Sequence, residues 1–270
     1  MPAPVQAAFL GIVQGLTEFL PVSSSAHLIL ARAFFGFDAD QFGLAFDVAC
    51  HVGTLIAVLI YFRSDLARMI AALPRVFRPV DRDTRLIWLL VVGTIPAVIA
   101  GLAFNKLIEA RMRTPQVAAV TLALGAAALM IAERVGRQTR TEDSLTMAEA
   151  FWIGCAQALA LIPGVSRSGA TITLALIFGL RRAEAARFIF LLAIPAILGA
   201  AAHEAPKVIK AGMDADTATL FAIGVITSAI VGYLAVKYFI RYLASHSLDA
   251  FAWYRFALAA AVVIWLWRPI

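Results

Sequence analysis

The sequence predicts an all-α integral membrane protein with an inverted-topology repeat, each half holding one re-entrant helix hairpin and three transmembrane helices. Three observations lead there. Of 270 residues, 62% are hydrophobic and only 15% charged, too few charges to cover the surface of a soluble domain. Six segments are apolar enough to cross a bilayer, and two further apolar stretches are interrupted by proline and a serine cluster. The two interrupted stretches also match each other in order and spacing.

The spans are expected near 44–62, 86–104, 117–133, 187–203, 218–236 and 254–268. A full crossing takes ~20 apolar helical residues, so the last is short. The interrupted stretches lie near 7–35, broken at Pro21-Val22-Ser23-Ser24-Ser25, and near 151–180, broken at Pro163-Gly164-Val165-Ser166-Arg167-Ser168-Gly169. Each arm has ~12 residues, or ~18 Å of helix, about half the hydrocarbon thickness. A hairpin that enters and leaves by one face fits these arms, with its irregular tip buried in protein or facing a wet cavity.

Gly11, Gln14, Leu16, Val22, Ser23 and Ser25 align without a gap with Gly154, Gln157, Leu159, Val165, Ser166 and Ser168. Gly93, Gly101 and Lys106 likewise align with Gly224, Gly232 and Lys237. The chain is thus read as a single membrane domain, 1–270, made of a first repeat, 1–140, and a second, 141–270. An odd number of crossings per repeat turns the second copy upside down, as in many transporters.

A net charge of +6 raises the question of nucleic acid, but the placement of the charge answers it. Arg63, Arg68, Arg75, Arg78, Arg82 and Arg85 crowd one short loop, the positive-inside pattern of a cytoplasmic loop. Alternation then puts 134–150, 181–187 and 237–253 on the same side, while Lys106, Arg111, Arg113, Lys207 and Lys210 fall outside. Both termini and the mouth of the first hairpin are expected outside; the second hairpin enters from the cytoplasm, and the tips should meet near the midplane. The first residues, Met1 to Gln6, lack Lys and Arg, which argues against a cleaved signal peptide. Cys50 and Cys155 have no metal-binding or CxxC spacing and read as packing residues.

Ionisable groups inside a membrane are expensive, and they mark candidate sites. The interrupted stretches hold Glu18, His27 and Arg167, with Arg32 nearer an end, among Gln14, Ser23, Ser24, Ser25, Ser166, Ser168, Thr171 and Thr173. Pro163 ends one arm, Gly164 permits a tight turn, and Ser166 suits the N-cap of the next arm. A helix N-terminus with an arginine fork and hydroxyls suits a phosphate. The plainer alternative is that Arg167 only neutralises Glu18. In the first hairpin Gln14 and Glu18 share a helical face, as do Ser24 and His27. Ser24 would attack phosphorus while His27 or Glu18 handles the proton; alternatively Glu18 and Gln14 hold a divalent cation by oxygen ligands. The plainer reading here is that the serines cap a helix and His27 is a hydrogen-bonded core residue. Asp47 and His51 sit near a span end, at the interface or flanking the site entrance, and His203, Glu204 and His246 receive no role.

The segments Gln14-Gly15-Leu16-Thr17-Glu18-Phe19-Leu20-Pro21-Val22-Ser23-Ser24-Ser25-Ala26-His27 and Pro163-Gly164-Val165-Ser166-Arg167-Ser168-Gly169-Ala170-Thr171 closely resemble the two signature motifs of bacterial undecaprenyl-diphosphate phosphatases, the bacitracin-resistance proteins. The resemblance implies hydrolysis of undecaprenyl diphosphate to the monophosphate carrier of peptidoglycan synthesis, protection against bacitracin, and dependence on a divalent cation, Mg2+ or Ca2+. It implies Ser24 as nucleophile, Glu18 as acid/base or metal-associated carboxylate, His27 at the motif histidine and Arg167 at the phosphate-binding arginine. Ser166, Ser168 and Thr171 match hydroxyl-bearing positions; Gln14 and Ser23 are expected to touch substrate. Gln14 stands where many members carry Glu, which weakens a two-carboxylate metal site; Ser25-Ala26 replaces the commoner Thr-Gly, a mild change.

The expected location is the bacterial inner membrane, with the site open to the periplasmic side. The expected partners are the polyprenyl diphosphate lipid and the bilayer, with homodimerisation left open and nucleic acid excluded. Attack by Ser24 and direct attack by a metal-bound water both remain open, as does the choice between Ser23 and Ser24. The rival reading is a transporter or flippase of a polyprenyl phosphate; it needs Arg167 but no nucleophile.

Overall fold

The computed structural model describes residues 1–38, 41–78, 81–211 and 214–267. The first half runs α1 (Ala3–Phe19), α2 (Ser24–Phe35), α3 (Leu44–Tyr61), α4 (Arg63–Ala72), α5 (Arg82–Arg111) and α6 (Pro115–Val135). The second runs α7 (Met147–Leu159), α8 (Arg167–Ile177), α9 (Arg182–Ala211), α10 (Ala215–Leu243) and α11 (Asp249–Leu266). Among the described residues the elements are helical, and α3, α5, α6, α9, α10 and α11 are long and apolar enough to cross a membrane. This is an all-α, multi-pass membrane protein. The six expected spans all fall on these helices; Arg268, the end of the last expected span, lies outside the described residues.

Both interrupted stretches begin earlier than the expected bounds. Proline in the first turn of α1 sits where its missing N–H costs nothing. At α7 a capping box forms, Thr146 accepting from the Glu149 amide while the Glu149 carboxylate accepts from the Thr146 amide. The arginine-rich segment, expected as a loop, contains a helix of its own, α4.

Packing follows the membrane solvent. Large apolar side chains such as Leu124 and Ile230 stand more than half exposed on the outer faces of the spans, where lipid rather than water would meet them. The longest continuous buried run is in α9, where Phe188 to Ile194 are all buried. Phe190 meets Phe19 of α1 edge to face at 5.2 Å between centroids.

Small residues set the closest helix approaches. Gly11 and Gly15 of α1 press on α10, where a Cβ at Gly15 would come within 2.8 Å of the Gly232 nitrogen and the Ser228 oxygen. Gly154 of α7 presses in the same way on Gly93 of α5. The first arm of each hairpin therefore packs on a span from the other half of the chain.

One end of the bundle gathers the arginine-rich loops. Arg187 bonds Asp65 at 2.6 Å and Glu142 at 2.9 Å, Arg82 bonds Glu142 at 2.6 Å, and Arg134 bonds Asp249 at 2.8 Å. Loops 63–85, 134–150, 181–187 and 237–253 thus share one face, as alternation of the spans requires. At the opposite end Asp47 is buried between Arg32, at 2.6 and 3.0 Å, and Arg113, at 2.7 Å.

Candidate active site

Each hairpin tip is a short turn ending in a serine that caps the outgoing arm. Ser23 accepts from the Ala26 amide at 3.4 Å, and Ser166 from the Gly169 amide at 3.1 Å. Both serines have positive φ, 73° and 69°, a strained conformation for a residue with a Cβ that tends to be kept at functional sites. Gly164, at φ 90°, makes the second turn without that cost.

The tips touch. The Gly164 amide donates to Ser25 Oγ at 3.4 Å, and Ser168 Oγ donates to the Leu20 carbonyl at 2.9 Å. Between them lies Arg255 of α11, fully buried, which donates to the carbonyls of Pro21 at 3.2 Å, Gly164 at 3.1 Å and Val165 at 3.0 Å. It also reaches the carbonyls of Thr121 and Leu122 at 3.3 and 3.2 Å. A guanidinium has five N–H donors in a rigid fork, and here it binds both tips to α6.

Glu18, at the end of α1, is the hub of the site. Its buried carboxylate accepts from Gln14 Nε2 at 2.8 Å, from Ser24 Oγ at 2.7 Å and from Arg167 of the opposite tip. His51 Nε2 stands 3.4 Å away. Nδ1 of His51 must carry a hydrogen, because it bonds the Asp47 carbonyl at 2.7 Å, and a carbonyl only accepts.

Glu18, Ser23, Ser24, Ser166 and Arg167 all line one cavity of about 330 Å³. Its remaining wall is largely apolar, with Val48 of α3, Val98 and Leu102 of α5, and Ile197 and Ala200 of α9, joined by His51, Gln157, His203 and Glu204. A charged, hydroxyl-rich end joined to an apolar channel suits an amphipathic ligand with an anionic head.

Other expected site residues stand around the cavity rather than on it. Gln14 lies behind Glu18. Ser168 is spent on Leu20, and Thr171 Oγ1 donates to the Arg167 carbonyl at 2.7 Å. His27 faces away: Nδ1 bonds the Ser23 carbonyl and Nε2 the Tyr254 hydroxyl, both at 2.7 Å, with the two rings stacked. His51, expected at the interface or flanking the site entrance, stands on the cavity wall beside Glu18. Gln157, which the sequence uses only to align the repeats, and His203 and Glu204, which receive no role there, line the same cavity. Arg255 is absent from the expected site, although a lone arginine at the start of an apolar span is itself a signal.

Oxygen donors for a hard cation are sparse. Among the described residues no group of three or more His, Cys, Asp or Glu is placed to hold a metal. Glu18 and the unpartnered Oε1 of Gln14 nonetheless fit a cation that takes its other ligands from phosphate and water, the usual manner for Mg2+.

Residues 7–261 match the family model described as bacitracin resistance protein BacA. An undecaprenyl-diphosphatase of Rubrobacter xylanophilus is 52% identical over 262 residues, covering 96% of each chain. Undecaprenyl-diphosphatases of Thermodesulfovibrio yellowstonii and Alcanivorax borkumensis are each 46% identical, covering 96% of both chains in the first case, and 97% of this chain and 98% of the relative in the second. This chain belongs to the bacitracin resistance protein BacA family.

Proposed function

We propose that this protein hydrolyses undecaprenyl diphosphate to undecaprenyl phosphate and inorganic phosphate, recycling the lipid carrier of peptidoglycan synthesis and conferring bacitracin resistance. The observation that carries the reading is the convergence of Ser24, Glu18 and Arg167, from two separate hairpins, at the polar end of an apolar cavity. Transport of a lipid phosphate would use Arg167 but gives no reason for a serine hydroxyl bonded to a carboxylate.

In the proposed reaction Ser24 Oγ attacks the terminal phosphorus and its proton passes to Glu18, already 2.7 Å away. The bond from that phosphorus to the bridging oxygen breaks, and its electron pair leaves on undecaprenyl phosphate. Water then attacks the phosphoserine, losing a proton as Ser24 regains one, and phosphate departs. Arg167 has donors beyond those given to Glu18 and stabilises the charge spread over the transferred oxygens. His27, held by Ser23 and Tyr254, fixes the start of α2 and so the direction of Ser24. Ser166, Ser168 and Thr171 brace the tip that carries Arg167. Glu18 and Gln14 would hold Mg2+ or Ca2+, which supplies positive charge against the diphosphate.

The site opens to the periplasmic side of the inner membrane in this reading, because the arginine-rich face is the cytoplasmic one. The repeats 1–140 and 141–270 are proposed as an inverted duplication. In support, Gly11 and Gly154 align with each other, as do Gly93 and Gly224, and the packed pairs are Gly11 with Gly224 and Gly154 with Gly93. The test is phosphate release from undecaprenyl diphosphate by the purified protein in detergent, with and without chelator. Turnover that chelator stops, and that Arg167→Ala lacks, supports the proposal; a folded wild type inert under every cation contradicts it.

A further inference from the structure

Among the described residues, four buried side-chain atoms lack a hydrogen-bond partner: Gln14 Oε1, Glu142 Oε2, and both amide atoms of Gln157. Gln157 is the case in which neither donor nor acceptor is used. It is 3% exposed, yet it belongs to the lining of the site cavity. A buried carboxamide without partners is unfavourable, and an apolar side chain of similar shape would be neutral or better. Both amide atoms are closed off even from the empty cavity, so this group in its wall points to a turn of the side chain that brings the amide to a ligand when the cavity is filled.

The local geometry shows why Gln157 is free. Gln14, at the aligned position of the first hairpin, gives its Nε2 to Glu18 four residues on. Four residues after Gln157 stands Leu161, in the tip turn beyond the end of α7, which also lines the cavity, so the position matching Glu18 holds no carboxylate. The backbone beneath Gln157 is fixed, since Gly154 packs on Gly93 and Pro96 of α5. Ala97 and Val98, which follow Pro96, start the apolar wall, while Ser166 and Arg167 continue the polar end. Gln157 thus sits where the anionic head would give way to the lipid.

Resting on the phosphatase reading, we infer that Gln157 is a substrate-binding residue, its Nε2 donating to the lipid-side phosphate of the diphosphate. That phosphate stays on the product, so Gln157 would hold undecaprenyl phosphate as well as undecaprenyl diphosphate. It forms no bond to the phosphorus that is transferred, and its loss should weaken binding rather than slow chemistry.

The experiment compares wild type, Gln157→Leu and Gln157→Glu in detergent. Steady-state turnover gives KM, kcat and inhibition by undecaprenyl phosphate, and thermal unfolding is followed with and without a non-hydrolysable methylenediphosphonate lipid. For Gln157→Leu the expected result is a rise of about 10-fold in both KM and the product inhibition constant, with kcat nearly kept. Its unliganded Tm should be unchanged or higher, with the stabilisation by the diphosphonate reduced. Gln157→Glu, nearly isosteric but anionic, should bind both ligands more weakly still. KM, product inhibition and the diphosphonate shift all unchanged in either folded variant would overturn the inference, as would a fall confined to kcat. A wild type that releases no phosphate but is stabilised by the diphosphonate in a Gln157-dependent way would leave this inference standing and remove the phosphatase reading instead.

Discussion

Ser24 and Glu18 lie on opposite sides of the first tip turn, and Ser24 Oγ donates to Glu18 Oε2 at 2.7 Å. The turn exists to make that contact: α1 stops at Phe19, Pro21 prevents its continuation, and Ser23 starts α2 afresh with Ser24 at its first position. The hydroxyl keeps its lone pairs for the cavity while its hydrogen already points at a base.

Glu18→Gln keeps the shape of that contact and removes its basicity. We expect kcat to fall by about 10²- to 10⁴-fold, the usual range for loss of a general base. The circular dichroism spectrum and the elution volume in detergent should be unchanged. Phosphate release under substrate saturation checks the first, and the Tm reports that the neutral amide still sits among Gln14, Ser24 and Arg167.

Arg255 should matter for assembly of the tips rather than for phosphate. Arg255→Met takes the side-chain donor from the turn carbonyls of residues 21, 164 and 165, and from those of 121 and 122, which lie inside α6. A loss of roughly 3 kcal/mol or more is expected, in line with stranding several buried acceptors. Gly125→Ala should act in the same direction, because its Cβ would lie 2.7 Å from Arg255 Cζ. Thermal unfolding of both variants, read beside turnover, checks this.

The glycine contacts yield a sharper structural contrast. Gly15→Val should destabilise by about 1–3 kcal/mol through overpacking against α10. Gly101→Ala, where a Cβ meets nothing within 4 Å, should leave stability equal or slightly improved. Chemical unfolding in mixed micelles separates the two.

Stability should fall at low pH through the arginine-rich face. Burial pushes the Asp65 carboxyl up, but hydrogen bonds and charge from Arg187 and Arg68 outweigh it and hold the group below its ordinary range. The hydrogen bond from Arg140 does the same for Glu149. A carboxyl depressed in the folded state stabilises fully above its unfolded value, ~3.9 for Asp and ~4.3 for Glu, and that contribution is lost as pH falls through the lower folded value. Tm should therefore be flat in this respect from neutral pH down to about 5 and then decline. In Asp65→Asn the decline should be shallower, with the gap to wild type closing at the acid end.

Much of this was legible because membrane sequences are constrained so simply. The six spans follow from runs of apolar residues, and the hairpins from prolines and serines that interrupt them. The Glu18–Arg167 pairing was readable as two rare charges with nowhere else to go. What escaped notice depended on depth and direction. His51 shares α3 with lipid-facing residues, and only three-dimensional packing turns its ring toward Glu18. His27, placed beside Ser24 by helical spacing, instead turns to Tyr254, a partner 227 residues away. Arg255 is a rare charge within a span, but the carbonyls it serves come from α6 and from both tips, segments far from it in sequence.

The most direct measurement is to quench turnover of undecaprenyl diphosphate labelled in its terminal phosphate and to map labelled peptides. Label is expected on Ser24 in wild type, with more of it in any variant slowed in the water step, and neither label nor turnover in Ser24→Ala. Rapid turnover by Ser24→Ala, or a fully active wild type that never carries label at Ser24, would rule out the phosphoserine and assign the attack to water.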